Sequence, residues 1–155
     1  MILGIHHTSI TTPDVDRLAS FYCDQLGFET VSRSSWDAGN KIADAIYDLE
    51  NTAVKMVMLK TSNSYLELFQ FNSPTGMPSE ENRPICNAGV THICVIVDDA
   101  WAEYERLSMG GMVFHCPPQD AGRVGLATYG RDPDGNIVEL LQPAPNGIYP
   151  QLMKA

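Results

Sequence analysis

Residues 4–10 read Gly4-Ile5-His6-His7-Thr8-Ser9-Ile10, and residues 89–95 read Gly89-Val90-Thr91-His92-Ile93-Cys94-Val95. The second stretch stands 85 positions after the first, and the residues downstream of the two agree in kind. After His7 come Thr8 to Thr12, then Pro13-Asp14, a helical stretch to Leu26, and Gly27-Phe28. After His92 come Ile93 to Val97, then Asp98-Asp99, a helical stretch to Met109, and Gly110-Gly111. Each half later carries a short apolar strand with a Glu at its centre. These are Tyr65-Leu66-Glu67-Leu68-Phe69 and Ile137-Val138-Glu139-Leu140-Leu141. Self-similarity of this kind marks a duplicated supersecondary unit. The chain therefore reads as an α+β protein built from two βαβββ modules.

Local signals support each module. Asp14 is a good N-cap and Gly27 a good C-terminal stop. Between them Val15, Leu18, Ala19, Tyr22 and Leu26 recur at helical spacing on one face. In the second module Asp98 or Asp99 caps a helix bearing Ala100, Tyr104 and Leu107. Strands are expected at Ile5–Thr11, Ala53–Lys60 and Tyr65–Phe71, then at Met112–Cys116, Gly125–Tyr129 and Asn136–Leu141. Asn63-Ser64 and Asp132-Pro133-Asp134-Gly135-Asn136 read as tight turns. His7 and Glu67 are 60 positions apart, but His92 and Glu139 only 47. The extra length falls around residues 34–51, with Trp36 and Tyr47, and suits a lid or a pocket wall. The expected organisation is one domain over 1–143, with module 1 at 4–71, a linker at 72–88 and module 2 at 89–142. An irregular tail occupies 144–155.

Composition narrows the function. With 155 residues, 44% hydrophobic and 19% charged, the chain is ordinary for a globular protein. Ten basic against 19 acidic residues give a net charge of −9, which disfavours nucleic acid and anionic membranes as partners. No apolar run approaches the roughly 20 residues of a membrane helix, and Met1 to Ile10 shows no secretory pattern. Cys23, Cys86, Cys94 and Cys116 lack CxxC spacing and read as free buried thiols in a reducing cytoplasm.

Strands display alternate residues on one face. His7, Ser9 and Thr11 share a face opposite Ile10, and His92, Cys94 and Ile96 share a face opposite Ile93, Val95 and Val97. The apolar face packs on a helix, so both histidines turn the other way. Tyr65, Glu67, Phe69 and Phe71 share a face, as do Ile137, Glu139 and Leu141. A lone carboxylate among such neighbours is costly unless paired or bound to a metal. One strand His or Glu alone would be ordinary; recurrence at matched positions of matched strands is not. His7, Glu67, His92 and Glu139 thus form a candidate ligand set for one divalent metal ion (Zn, Ni, Co, Mn or Fe).

The stretches GIHHTSITTPDVDRLASFYCDQLGF, YLELF, GVTHICVIVDD and GRDPDGNIVELLQ resemble, in order, those of the vicinal oxygen chelate superfamily. This group includes glyoxalases, methylmalonyl-CoA epimerases, extradiol dioxygenases and bleomycin or fosfomycin resistance proteins. The resemblance covers Gly4 to Gln142. It implies a pair of βαβββ modules forming a cupped mixed sheet around a metal, with ligands at His7, Glu67, His92 and Glu139. His6 falls on the opposite strand face. A two-His, two-carboxylate set looks more like the glyoxalase I and epimerase branches than the three-ligand dioxygenases. The implied chemistry is proton abstraction beside a metal-chelated carbonyl, by an isomerase, epimerase or lyase, with Glu139 or Glu67 as base. The alternatives are an Fe(II) extradiol-type dioxygenase and a metal-free small-molecule binding or resistance protein. Ser9 and Thr11 stand where glutathione-dependent relatives carry an Arg, and Lys55 stands where epimerases place an acid toward the metal. Tyr65, Phe69, Cys94, Ile96 and Leu141, with Trp36 from the insertion, would line an apolar pocket for a small or acyl substrate. His115 is a candidate neighbour of the site, and Arg83, Arg123 and Arg131 are candidate anion binders. Family members commonly dimerise, so a homodimer is expected.

Overall fold

In a computed structural model, which describes residues 1–80 and 82–152, the chain divides into two compact units, Met1–Pro78 and Ser79–Ala155. The first contains β1 (His7–Thr11), α1 (Val15–Leu26), β2 (Glu29–Trp36), α2 (Lys41–Tyr47), β3 (Ala53–Lys60) and β4 (Tyr65–Ser73). The strands order β1-β4-β3-β2, with β1 parallel to β4 and the others antiparallel. The second contains β5 (His92–Ile96), α3 (Ala100–Met109), β6 (Val113–Phe114), β7 (Gln119–Asp120), β8 (Gly125–Arg131) and β9 (Ile137–Pro143). Its order is β5-β9-β8-β6, with β5 parallel to β9 and β7 paired to β8. Each unit is therefore the expected βαβββ pattern with one short addition, α2 in the first and β7 in the second. The boundaries differ from the sequence reading in places. The first strand starts at His7, not Ile5, and the Met112–Cys116 segment narrows to a two-residue strand. The tail's last residues, 153–155, and residue 81 of the linker lie outside the described residues.

The helices form where their caps allow. Asp14 accepts a hydrogen bond from the Arg17 backbone N–H at 3.0 Å, satisfying one of α1's free donors. Gly27 ends the helix in the left-handed region at φ 71°, where glycine carries no Cβ penalty. Val15, Leu18, Ala19 and Tyr22 are buried, while Leu26 is half-buried. They pack on the face of the sheet that carries Val57, Leu59, Leu66 and Leu68. In the second unit Asp99, rather than Asp98, caps α3 through the N–H groups of Trp101 and Ala102. Ala100 and Leu107 are buried with Val138 and Leu140, and Tyr104 is half-buried. Each fully buried Leu or Val contributes roughly 1.5–3 kcal/mol of transfer free energy.

A second repeat ties each helix to its sheet. Gln70 Oε1 accepts from the Val15 N–H at 3.1 Å, and Gln142 Oε1 accepts from the Ala100 N–H at 2.9 Å. Both glutamines lie three residues beyond the strand glutamate, in Glu67-Leu68-Phe69-Gln70 and Glu139-Leu140-Leu141-Gln142. The N–H groups served belong to Val15 and Ala100, which are fully buried, so water cannot replace the glutamine. Gln142→Ala is expected to destabilise the protein by about 1–3 kcal/mol, the cost of an unsatisfied buried donor. A urea titration showing no change in midpoint would contradict this.

The insertion is anchored rather than loose. Asp44 on α2 is buried and accepts from both the N–H and the hydroxyl of Thr52, at 2.8 and 2.9 Å. The backbone bond from Thr52 holds the Asp44 carboxyl below its usual range, against the opposing effect of burial. Trp36 Nε1–H donates to Thr52 Oγ1 at 3.2 Å, and its ring stacks on Tyr47 at 5.9 Å. The turn at 132–136 is built by Asp132. Its carboxylate accepts from the backbone N–H of Asp134 and Asn136, both at 2.9 Å, and from the Asn136 amide at 2.8 Å.

Candidate metal centre

In the first unit β1 lies beside β4 with His7 opposite Tyr65 and Ser9 opposite Glu67. Pairing residues share a face, so the strand alternation puts His7, Ser9, Tyr65, Glu67 and Phe69 together, away from α1. His7 Nε2 lies 3.2 Å from Glu67 Oε2. The Glu67 side chain keeps 13% of its exposure and that of His7 37%. Across β3 the residue opposite Glu67 is Met58. Tyr47, from α2, lies near enough for Glu67 to act on it. Its phenol is pushed up, first by burial and then by the charge of Glu67. Tyr47 also packs edge-on against Phe69 and Phe71, with centroids at 5.8 and 5.9 Å.

The second unit repeats the pair. His92 Nε2 lies 3.1 Å from Glu139 Oε2, whose side chain keeps 9% of its exposure. Cys94 stands opposite Glu139 on β5, and Tyr129 stands opposite it on β8. Tyr129 meets the His92 ring edge-on at 5.2 Å. Its phenol is raised first by burial, then by the charge of Glu139 and by the hydrogen bond its hydroxyl donates to that carboxylate. The thiol of Cys94 is pushed up to about 12, first by desolvation, then by the charge of Glu139 and a hydrogen bond to it. Cys94 is an exposed residue all the same, so the nearby charge matters as well as the lost solvent. At neutral pH it is a neutral thiol and a poor nucleophile in the metal-free protein.

The two glutamates are therefore not equivalent. Glu139 receives donors from both flanking strands, whereas Glu67 lies between Ser9 and a thioether. The donor chemistry of each pair fits a divalent cation, with one imidazole Nε2 and one largely buried carboxylate oxygen about 3 Å apart. Each pair supplies two donors. Among the described residues no group of three or more His, Cys, Asp or Glu side chains gathers into a metal cage.

Several expectations are corrected by the geometry. His6 does not sit on the opposite strand face. It precedes β1, and its ring stacks on Tyr65 at 4.8 Å and meets His7. Strand alternation does not apply to a residue outside the strand. Lys55 pairs with Gln70, so it shares the face opposite Glu67 and points away from the site. Arg83 and Arg131 are engaged by backbone carbonyls. Arg83 donates to Val90, Asn87 and Ala88, and Arg131 to Gly135 and Arg83. The four cysteines are free, but Cys86, Cys94 and Cys116 are exposed and Cys23 only half-buried. Of the expected pocket residues, Phe69 and Leu141 are buried, Tyr65 and Trp36 half-buried, and Cys94 and Ile96 exposed. His115 reaches the site's surroundings through Tyr129, on whose ring it stacks at 6.4 Å. Sequence reasoning does not assign Tyr129 or Tyr47 to the glutamates they approach. For Tyr129 a signal exists, because the 132–136 turn pairs Arg131 with Ile137, and two residues back this sets Tyr129 against Glu139.

Among the described residues no helix is long and apolar enough to cross a membrane. The lactoylglutathione lyase of Pseudomonas putida is 27% identical over 149 residues, covering 90% of this chain and 85% of the relative. A glyoxalase family protein from Bacillus cereus superposes with a TM-score of 0.83 at 20% identity, covering 92% of this chain and 95% of the other. A FosX fosfomycin resistance protein variant from Listeria monocytogenes superposes with a TM-score of 0.63 at 18% identity. It covers 94% of this chain and 96% of the other, and was crystallised with Mn(II) and 1S,2S-dihydroxypropylphosphonic acid. Such structural likeness speaks to the fold, which is α+β and of the glyoxalase type. The family model for the Glyoxalase/Bleomycin resistance protein/Dioxygenase superfamily matches residues 4–140, a span that takes in both His–Glu pairs, and the chain belongs to that superfamily.

Proposed function

We propose that the protein is a metal-dependent enzyme that removes a proton next to a chelated carbonyl, as an isomerase, epimerase or lyase. The observation that carries this reading is the repeated His–Glu pair, at 3.2 Å in one unit and 3.1 Å in the other. His7, Glu67, His92 and Glu139 are the proposed ligands of a divalent cation. When bound, the cation supplies Lewis-acid stabilisation of charge developing on the substrate's oxygens. The chain's own residues do the rest. A carboxylate, Glu67 or Glu139, takes the proton. Tyr65, Phe69, Leu141, Ile96, Cys94 and Trp36 would line the substrate site and displace water. That surface is mostly apolar and suits a small or acyl substrate.

The lactoylglutathione lyase relative makes a glutathione adduct one candidate substrate. Ser9 and Thr11, which offer no guanidinium for a carboxylate, favour other 2-oxo or acyl thioester compounds. The test has two parts. Protein purified without added metal is expected to carry a divalent ion at stoichiometric level, and His7→Ala to lose it. In heavy water, the metal-loaded chain is expected to exchange the α-proton of 2-oxo compounds or acyl thioesters, assayed with and without glutathione. Retention of the metal in His7→Ala would refute the ligand assignment, and oxygen uptake with catechols would point to a dioxygenase.

A further inference from the structure

In both units the residue just before the histidine takes that histidine's other nitrogen. His6 Nδ1 lies 2.9 Å from His7 Nδ1, and Thr91 Oγ1 lies 2.8 Å from His92 Nδ1. With Nδ1 engaged, Nε2 is the nitrogen left to face Glu67 or Glu139. An imidazole and a hydroxyl have little in common, but each can both donate and accept a hydrogen bond. Resting on the metal reading above, we propose that His6 and Thr91 are positioning residues. They fix Nε2 of His7 and His92 as the metal-binding atom, and they reverse their own hydrogen bond when the metal is loaded.

The reversal comes from where a neutral imidazole keeps its proton. In a neutral ring without metal, an Nε2–H that donates to the carboxylate leaves Nδ1 bare, to accept from His6 or Thr91. With a cation on Nε2, the proton of the neutral ring sits on Nδ1 and must be donated to His6 or Thr91. The Nε2 proton leaves to solvent and Nδ1 gains one, so the ring stays neutral. A backbone carbonyl would serve the loaded state alone, and an N–H group the empty state alone. A side chain that does both holds the ring in one orientation throughout. His6 is itself held by stacking on Tyr65, with planes 14° apart, and Tyr65 is the residue paired with His7.

The test is the dissociation constant for Zn²⁺, measured on the full chain by competition with a chromophoric chelator. Thr91→Val keeps the shape and removes the hydroxyl, and His6→Phe keeps a ring to stack and removes Nδ1. Each is expected to weaken binding by about 10–100-fold, the usual effect of losing a partner behind a metal-bound histidine. Thr91→Ser and His6→Asn, which restore a group that donates and accepts, are expected to bind close to wild type. Nitrogen-15 spectra of the unmutated imidazoles give a second measurement. His7 and His92 are expected to carry the proton on Nε2 without metal and on Nδ1 with Zn²⁺. The proposal is overturned if Thr91→Val and His6→Phe bind Zn²⁺ like wild type while His7→Ala does not. It is also overturned if the loaded rings keep the proton on Nε2. Binding unchanged in His7→Ala would instead overturn the metal reading beneath it.

Discussion

Glu67→Gln is expected to slow α-proton exchange by about 10²–10⁴-fold, the usual contribution of a general base, while the protein keeps its metal. Glu139→Ala is expected to lose the metal instead. The difference rests on what surrounds each carboxylate. Glu139 accepts from the Tyr129 hydroxyl on one side and from the Cys94 thiol on the other, besides facing His92. Donors aimed at a carboxylate occupy its lone pairs. They also hold it in place, which suits a fixed ligand. Glu67 faces His7, with Ser9 and Met58 as its cross-strand neighbours. Glu67, beside a thioether and the half-buried Tyr47, has fewer partners to hold it and is the carboxylate assigned as base. The amide of Glu67→Gln keeps an oxygen donor but cannot take a proton, so it separates the two roles. Exchange in Glu67→Gln within tenfold of wild type would show that the base lies elsewhere, and metal retained by Glu139→Ala would remove its role as ligand.

The duplication is legible because backbone geometry imposes it on residue type. The strand histidines, the capping aspartates Asp14 and Asp99, and the strand glutamates each recur because the same β-α-β geometry needs them twice. Strand alternation pairs His7 with Glu67 and His92 with Glu139 once β1 and β5 are placed beside β4 and β9. Less legible is anything set by register between distant strands. Tyr129 meets Glu139 only through the β8–β9 ladder, and Lys55 is turned from the site by its pairing with Gln70. The insertion can be placed from sequence but not its form. Lys41–Tyr47 is too short to show a strong helical period, and what holds it is the Asp44–Thr52–Trp36 network, a set of contacts that periodicity does not encode. His6 is misplaced for a related reason. Alternation, extended one residue beyond the strand, is applied where the chain no longer obeys it.

Gly125→Ala is expected to be the most damaging single methyl in the second unit. Gly125 begins β8 opposite Pro143, at φ +123°, a region L-residues rarely adopt. A Cβ built there would lie 2.0 Å from the Gln142 carbonyl oxygen and 2.7 Å from the Ala144 nitrogen. Both are backbone atoms, so no side chain can swing aside, and the β8–β9 pairing itself has to open. Gln142 is also the residue whose amide oxygen holds the first N–H of α3, so the shift reaches the helix. The same ladder aligns Tyr129 with Glu139. The expected loss is above about 3 kcal/mol, at the high end for a point substitution. Gly122→Ala provides the control, because that glycine also has positive φ, at +64°, but nothing lies within 4 Å of the added carbon. It should cost only about 1–2 kcal/mol, the penalty of the left-handed conformation alone. Urea unfolding of the two variants separates crowding from strain. If they prove equally stable, the close approach of β8 to the Gln142 carbonyl does not govern the fold of this unit. If Gly125→Ala alone collapses, Zn²⁺ binding should weaken with it, since Glu139 is placed by the strand pairing that the methyl breaks.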